Sequence, residues 1–452
     1  MKVFKYFVAM SAVFFAGSAF AFSQNSEVSP EIQGSKIVLS VSDAINFALE
    51  KNLNLKESKI TLDAAKRTKN YSWNGLSPSL NAKGSFSGPV SDVSSRSDTL
   101  SASVGASVSL GLSPSIYTAV KAAAINYEQA QITYENAVRT IELNVRKAYC
   151  SILYEIENVK LQEQNVASAK NQYESNLEKY KRGTLSWLDV LSTQVTYQNA
   201  ALTLENLKVT LENDLASFKQ TLGIPLNTEI ELSGNFNFVR EIKEISIENI
   251  EINSSTLASL EKQLEAAENS LLASRFSAWG PSISASYSYN YGGLLSNAEG
   301  MEGSSSYSLG VSIPLDGYLP WSSGAQSIAG SKDTIEKLKL EIEDEKTSLD
   351  VSVKNYLNKI KQSQDSIKLR LESINLAQQT YDMTQEAYNY GTKDLLSLQS
   401  ASDNLLSAKL NLMSEEYTLL SAVLDLENTI GVPFGTLVNP ENLENQMESS
   451  AE

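Results

Sequence analysis

Residues 173–194, YESNLEKYKRGTLSWLDVLSTQ, return as residues 381–402, YDMTQEAYNYGTKDLLSLQSAS. Gly183 falls on Gly391, and the same offset carries Tyr173 to Tyr381, Tyr180 to Tyr388 and Thr184 to Thr392. It also carries Gly223 to Gly431 and Pro225 to Pro433, with no gap between. The front of each half repeats too, Pro78 on Pro281 and Val108-Ser109-Leu110 on Val311-Ser312-Ile313. Self-similarity on this scale marks one structural unit written twice.

Each half reads as a helix, two strands, a very long helix, a Gly-Thr turn and another long helix. The patterns predict helices over Ser42–Trp73, Ser115–Lys181 and Ser186–Leu222 in the first half. In the second they predict Ser254–Ala278, Ser322–Tyr390 and Asp394–Ile430. Neither longest segment contains proline, and Lys, Glu, Gln, Ala and Leu fill both, which suits helix. At 1.5 Å per residue each would reach about 100 Å, far too long for one small core to cover. Leu398, Leu405, Leu412, Leu419 and Leu426 recur as a heptad series. A second series, Leu406, Leu410, Met413, Tyr417, Leu420 and Leu424, runs beside it. Two offset coiled-coil seams on one helix predict partners on two sides, as in a ring of helices.

Four segments alternate instead, at about 78–90, 99–112, 281–292 and 305–315. Leu100, Ala102, Val104, Ala106, Val108 and Leu110 interleave with serine and glycine. Ile283, Ala285, Tyr287, Tyr289 and Tyr291 do the same with Ser284, Ser286, Ser288 and Asn290. One face is apolar and the other small and hydroxyl-bearing, which suits membrane β-strands. On this reading Ser109, Ser284, Ser286 and Ser312 face water in a lumen. The stretches Asp92–Asp98 and Leu294–Ser304 are polar and suit exposed hairpin ends. Open sheet edges are not tolerated in hydrocarbon, so four strands require partner chains. Two chains would make an eight-stranded barrel, whose interior must be packed with side chains that serine cannot supply. Three chains make twelve strands and leave a water-filled lumen, so a homotrimer is expected.

The ends and the composition narrow the function. Lys2 and Lys5, an apolar run to Phe20 and Ala19-Phe20-Ala21 read as a signal peptide over 1–21, cleaved on export. With 37 basic and 53 acidic residues the chain is a poor partner for nucleic acid. With no His and one Cys, Cys150, it offers neither a His-dependent triad nor an ordinary transition-metal site. No catalytic residue, metal or other cofactor is expected. A secreted trimeric coiled coil of structural or adhesive type would account for the helices but not for the strands. A passive porin would account for the strands but not for the helices.

The opening helix SVSDAINFALEKNLNL ahead of LSPSL, the turns YKRGT and YNYGT, and the helix ends LGIP and IGVP occur in order, the last two kinds twice. With two hairpins set inside paired long helices, they resemble the TolC family of outer-membrane efflux and secretion channels. The resemblance runs from about Val38 to Pro433. It implies a mainly α fold with membrane β: a trimeric twelve-stranded barrel continuous with a periplasmic α-helical barrel. It divides the chain into a linker at 22–37, repeats at 38–226 and 254–434, an equatorial segment at 227–253 and an acidic tail at 435–452. It further implies an outer-membrane exit duct served by a periplasmic adaptor and an inner-membrane transporter. Gly183 and Thr184, within turn 182–186, and Gly391 and Thr392, within turn 390–394, would be the tips where an adaptor docks. Asp189, Tyr388 and Lys393 would link neighbouring coils when the duct is closed. Where the family carries two aspartates at the constriction, this chain has Ser397 and Ser400, with Asp394 and Asp403 close by.

Overall fold

The computed structural model describes residues 37–88, 100–234, 252–294 and 300–437. The expected signal peptide, nearly all of the linker and the Asp92–Asp98 hairpin end lie outside these residues. So do most of the equatorial segment and most of the acidic tail.

The chain opens with β1 (Ile37–Leu39), α1 (Val41–Lys51) and α2 (Leu53–Asn70), then a single 3-10 turn. The first hairpin, β2 (Ser79–Ser87) and β3 (Ser101–Leu112), leads into α3 (Ser115–Lys181) and α4 (Trp187–Leu222). The second half follows as β4 (Ile230–Leu232), α5 (Ser255–Trp279), β5 (Ser282–Leu294), β6 (Glu302–Ser312), α6 (Ser323–Asn389) and α7 (Leu395–Ile430). α3 and α6 are each 67 residues long and α4 and α7 each 36, so the duplication holds to the residue in the long helices. Most expected helix starts prove to be caps. Ser186, Ser254, Ser322 and Asp394 each accept an N–H from the first turn that follows, satisfying donors a helix start leaves free.

The first helix departs from expectation. It was expected unbroken from Ser42 to Trp73, and it divides at Asn52. The Asn52 side-chain oxygen accepts from the N–H groups of Asn54 and Leu55, and its amide nitrogen donates 2.9 Å to the Thr221 carbonyl. One side chain therefore caps α2 and ties it to the end of α4. Gly223 and Gly431 close α4 and α7 with positive φ, and both are crowded. A Cβ on Gly223 would come 3.0 Å from the Lys51 carbonyl oxygen, and one on Gly431 2.0 Å from that of Asn253. Only glycine serves both needs there. Asn52 thus sets the start of α2 at the end of α4, and Asn253, just before α5, donates its N–H to Ile430 at the end of α7; α2 packs on α3, and α5 on both α3 and α6.

α4 packs along α3 and α7 along α6, while α3 also meets α2, α5 and α7. The main core lies at a waist where β1, α1 and β4 pack with the middle of α3 and α6 and the ends of α4 and α7. Tyr149, Phe218, Leu222, Leu419, Leu426 and Ile430 are fully buried there. The Tyr149 hydroxyl reaches the carbonyls of Leu39 at 2.9 Å and Ser233 at 2.5 Å, binding the parallel β1–β4 pair to α3. Arg139 donates to Asn428 and to the Glu427 and Val432 carbonyls, and buried Glu427 accepts the N–H groups of Gly435 and Leu437. These bonds fasten the segment after α7 to the waist.

The other four strands form one antiparallel sheet in the order β2-β3-β5-β6. Their bounds shift from expectation by a few residues. β6 begins at Glu302 and stops at Ser312, leaving Ile313 and Leu315 outside, because Pro314 has no N–H for the ladder. Within one chain the sheet is open, with β2 and β6 as its edges. Among the described residues no helix is long and apolar enough to cross a membrane.

Candidate functional site

The register sorts the sheet into rows of one character. Leu80, Val108, Tyr287 and Tyr307 stand side by side across all four strands, and Leu112, Ile283 and Val311 form another apolar row. Ser79, Ser109, Ser286 and Ser308 make a row on the opposite face, next to Asn81, Ser107, Ser288 and Ser306. Hydroxyls pair within these rows, Ser79 with Ser109 at 2.6 Å and Ser286 with Ser308 at 2.8 Å. Ser284 lies between Gly111 and Gly310, and Ser312 pairs with Ser282. All four expected lumen serines therefore share one face. Both faces are open in the single chain: β2 and β6 are exposed at every position, the apolar Tyr307 at 88% and Leu80 at 77%. A soluble sheet would cover its apolar face. Among the described residues of these four strands the charged side chains are Lys83 and Glu302.

At the foot of the sheet, where helices take over, stand Tyr71, Trp73, Trp279, Tyr318 and Trp321, all exposed. Trp279 stacks on Tyr318 and donates its indole N–H 2.8 Å to the Gly317 carbonyl. Amphipathic aromatics of this kind gather at membrane–water interfaces. Sequence reading passed over them, although their position flanking the strands was a usable signal.

At the far end the two Gly-Thr turns are built alike. Gly183 and Gly391 have φ of +76 and +75. The N–H of Thr184 reaches the Lys179 carbonyl at 3.0 Å, and that of Thr392 reaches Ala387 at 2.9 Å. Each threonine hydroxyl donates to the same carbonyl, at 2.9 Å in both turns. This is a Schellman closure, for which glycine supplies the left-handed residue. A Cβ at either glycine would meet nothing within 4 Å, so these glycines are needed for conformation and not for room.

The tips lie together around a cleft of about 400 Å³ lined by Lys179, Thr184, Asp189, Tyr388, Lys393 and Asp394. All three expected gate residues line it. The Tyr388 hydroxyl donates to Asn176 at 2.9 Å, and the Lys179 ammonium stands 4.7 Å from its ring centre. Burial is the main cause that pushes the Tyr388 hydroxyl above its ordinary pKa. Asp189 accepts a 2.7 Å bond from the Ser186 hydroxyl at the start of α4. In the second half the two roles are exchanged, with Asp394 as the cap and Ser397 as the residue it holds at 3.0 Å. That bonding to Ser397, helped by Lys393, keeps the Asp394 carboxyl below its usual range. Within one chain, then, Tyr388 is joined to Asn176 and Asp189 to its own helix start. Asn176 and Lys179 had not been singled out from sequence, since nothing local marks a residue whose partner lies on the other hairpin. Among the described residues no cluster of His, Cys, Asp and Glu could hold a metal ion.

Solved structures of similar fold include outer-membrane channels. CusC superposes with a TM-score of 0.73 at 15% identity, covering 89% of this chain and 96% of its own. CmeC of Campylobacter jejuni gives 0.71 at 16%, covering 90% and 89%. MtrE of Neisseria gonorrhoeae, solved in an open state, gives 0.66 at 18%, covering 87% and 89%. No curated protein matches the sequence. The outer membrane efflux protein family model matches residues 44–224 and 246–432, nearly the whole of both repeats. With its fold, its doubled halves and that match, this chain belongs to the outer membrane efflux protein family.

Proposed function

We propose that three copies of the chain close a twelve-stranded barrel in the outer membrane, continued by an α-helical tunnel in the periplasm. The assembly is the exit duct of an efflux or type I secretion system. It receives substrate from an inner-membrane transporter through a periplasmic adaptor. The carrying observation is the open four-stranded sheet, apolar on one face, hydroxyl-lined on the other and unpaired at β2 and β6. Backbone groups left unpaired in hydrocarbon cost several kcal/mol each, so β6 of one copy must meet β2 of the next. The serine face then lines the lumen and the apolar face meets lipid. A secreted adhesive coiled coil leaves this sheet without a role.

The tips are the proposed adaptor-docking points. Gly183-Thr184 and Gly391-Thr392 project with open space around them, so a partner's helical hairpin can approach closely. Asp189, Tyr388 and Lys393 are the proposed closing links, made between neighbouring coils in the ring. Membrane fractionation tests the reading: the chain should be found in the outer membrane as an oligomer that resists detergent until heated. A monomer free in the periplasm would refute it.

A further inference from the structure

Two helices carry an apolar heptad series that faces solvent. On α4 it is Leu188, Val195, Leu202 and Val209, and on α6 it is Leu369, Leu376, Met383 and, at its C-terminal cap, Tyr390, every residue more than half exposed. Both series keep strict sevenfold spacing, and both run from the tip up to the level of the waist core, which Leu211 of α4 and Ile367 of α6 join. A heptad stripe on a helix is a coiled-coil seam and calls for a second helix. The buried heptads of α7, among them Leu398, Leu405 and Leu412, already have theirs inside the chain. The α4 and α6 stripes do not, because α4 pairs with α3 and α6 with α7, and the two do not pack along each other.

We infer that the α4 stripe of one copy packs against the α6 stripe of the next copy, forming the tunnel's inter-subunit seam below the waist. This inference rests on the trimer reading above and adds its contact residues. The two hairpins point the same way, so ascending α4 and descending α6 are antiparallel. Tip-to-waist order then sets Leu188 beside Tyr390, Val195 beside Met383, Leu202 beside Leu376 and Val209 beside Leu369. The two patches differ, as a ring closed head to tail requires. At the tip the pairing brings Asp189 of one copy toward Lys393 of its neighbour, the link proposed to hold the duct shut.

Disulfide cross-linking tests the pairing, since the bond needs Cα atoms within about 7 Å. The native Cys150 is buried and its thiol is pushed up to about 12 by burial, so it stays out of the chemistry. The full chain carrying Leu202→Cys with Leu376→Cys is oxidised in outer membranes and run without reductant. The band should shift from one chain to covalent pairs and triples, and Val195→Cys with Met383→Cys should do the same. Either cysteine alone, or the mismatched Leu202→Cys with Tyr390→Cys, should leave single chains. Native mass spectrometry of the same sample, unoxidised, reads the chain number independently. A trimer that stays unlinked at both matched pairs, or links within one chain or to a different protein, overturns the pairing and leaves the trimer standing. A single-chain particle overturns both.

Discussion

Gly183 and Gly431 share a left-handed backbone and have opposite surroundings. Alanine at Gly183 meets only the conformational penalty, about 1–2 kcal/mol for an L-residue in that region. Alanine at Gly431 adds a Cβ 2.0 Å from the Asn253 carbonyl oxygen, so the waist must open to admit it. Gly431→Ala should therefore lower the thermal midpoint of the purified protein clearly more than Gly183→Ala; equal losses would show that the waist yields. Glu155 offers a test by pH. Burial, and then the neighbouring Asp214 carboxyl, push its pKa from 4.5 to about 7. Between those values the folded chain holds a proton that the unfolded chain releases, so stability falls as pH rises through the window and levels off above it. Glu155→Gln should flatten this component and raise the midpoint at pH 8 more than at pH 5. An equal change at both pH values would remove Glu155 as its source. The tip glycines were legible because the left-handed turn leaves a Gly-Thr signature twice. Glu155 and Asn176 were not, because their surroundings come from other helices.

At the scale of the element the strands are the sharpest case. Arg at Val108 would stand in the apolar row between Leu80 and Tyr287, where a charge facing mid-bilayer lipid costs about 2–4 kcal/mol. Val108→Arg and Val311→Arg should cut the yield of assembled oligomer in outer membranes, while Ser109→Arg and Ser312→Arg should assemble. Equal assembly by all four would mean that the two faces are not lipid and water. Alternation made the strands readable because a period of two needs no tertiary information. The break at Asn52 was hidden for the opposite reason. The apolar spacing of the first helix continues through it, and the carbonyl that holds its side chain belongs to Thr221, 169 residues away. The heptads of α7 stood out as a dense run of leucines. The stripes on α4 and α6 were missed because Ser, Thr, Asn and Gln separate their apolar residues and dilute the pattern.

The whole molecule is one unit written twice in each chain and, as proposed, assembled three times around a lumen. Sequence alone reached the duplication, the two long helices per half and the four strands, since each is a periodicity. It could not reach the waist, where Tyr149, Arg139 and Glu427 bind segments far apart in the chain. One measurement joins the chain number to the direction of the serine face. The protein with Ser109→Cys is placed in a planar bilayer, and a bulky charged thiol reagent is added while single channels are recorded. Each modified cysteine should narrow the same water-filled lumen, so conductance should fall in three discrete steps, and Val108→Cys on the lipid face should give none. A channel indifferent to Ser109→Cys modification, or one with a number of steps other than three, would contradict the account.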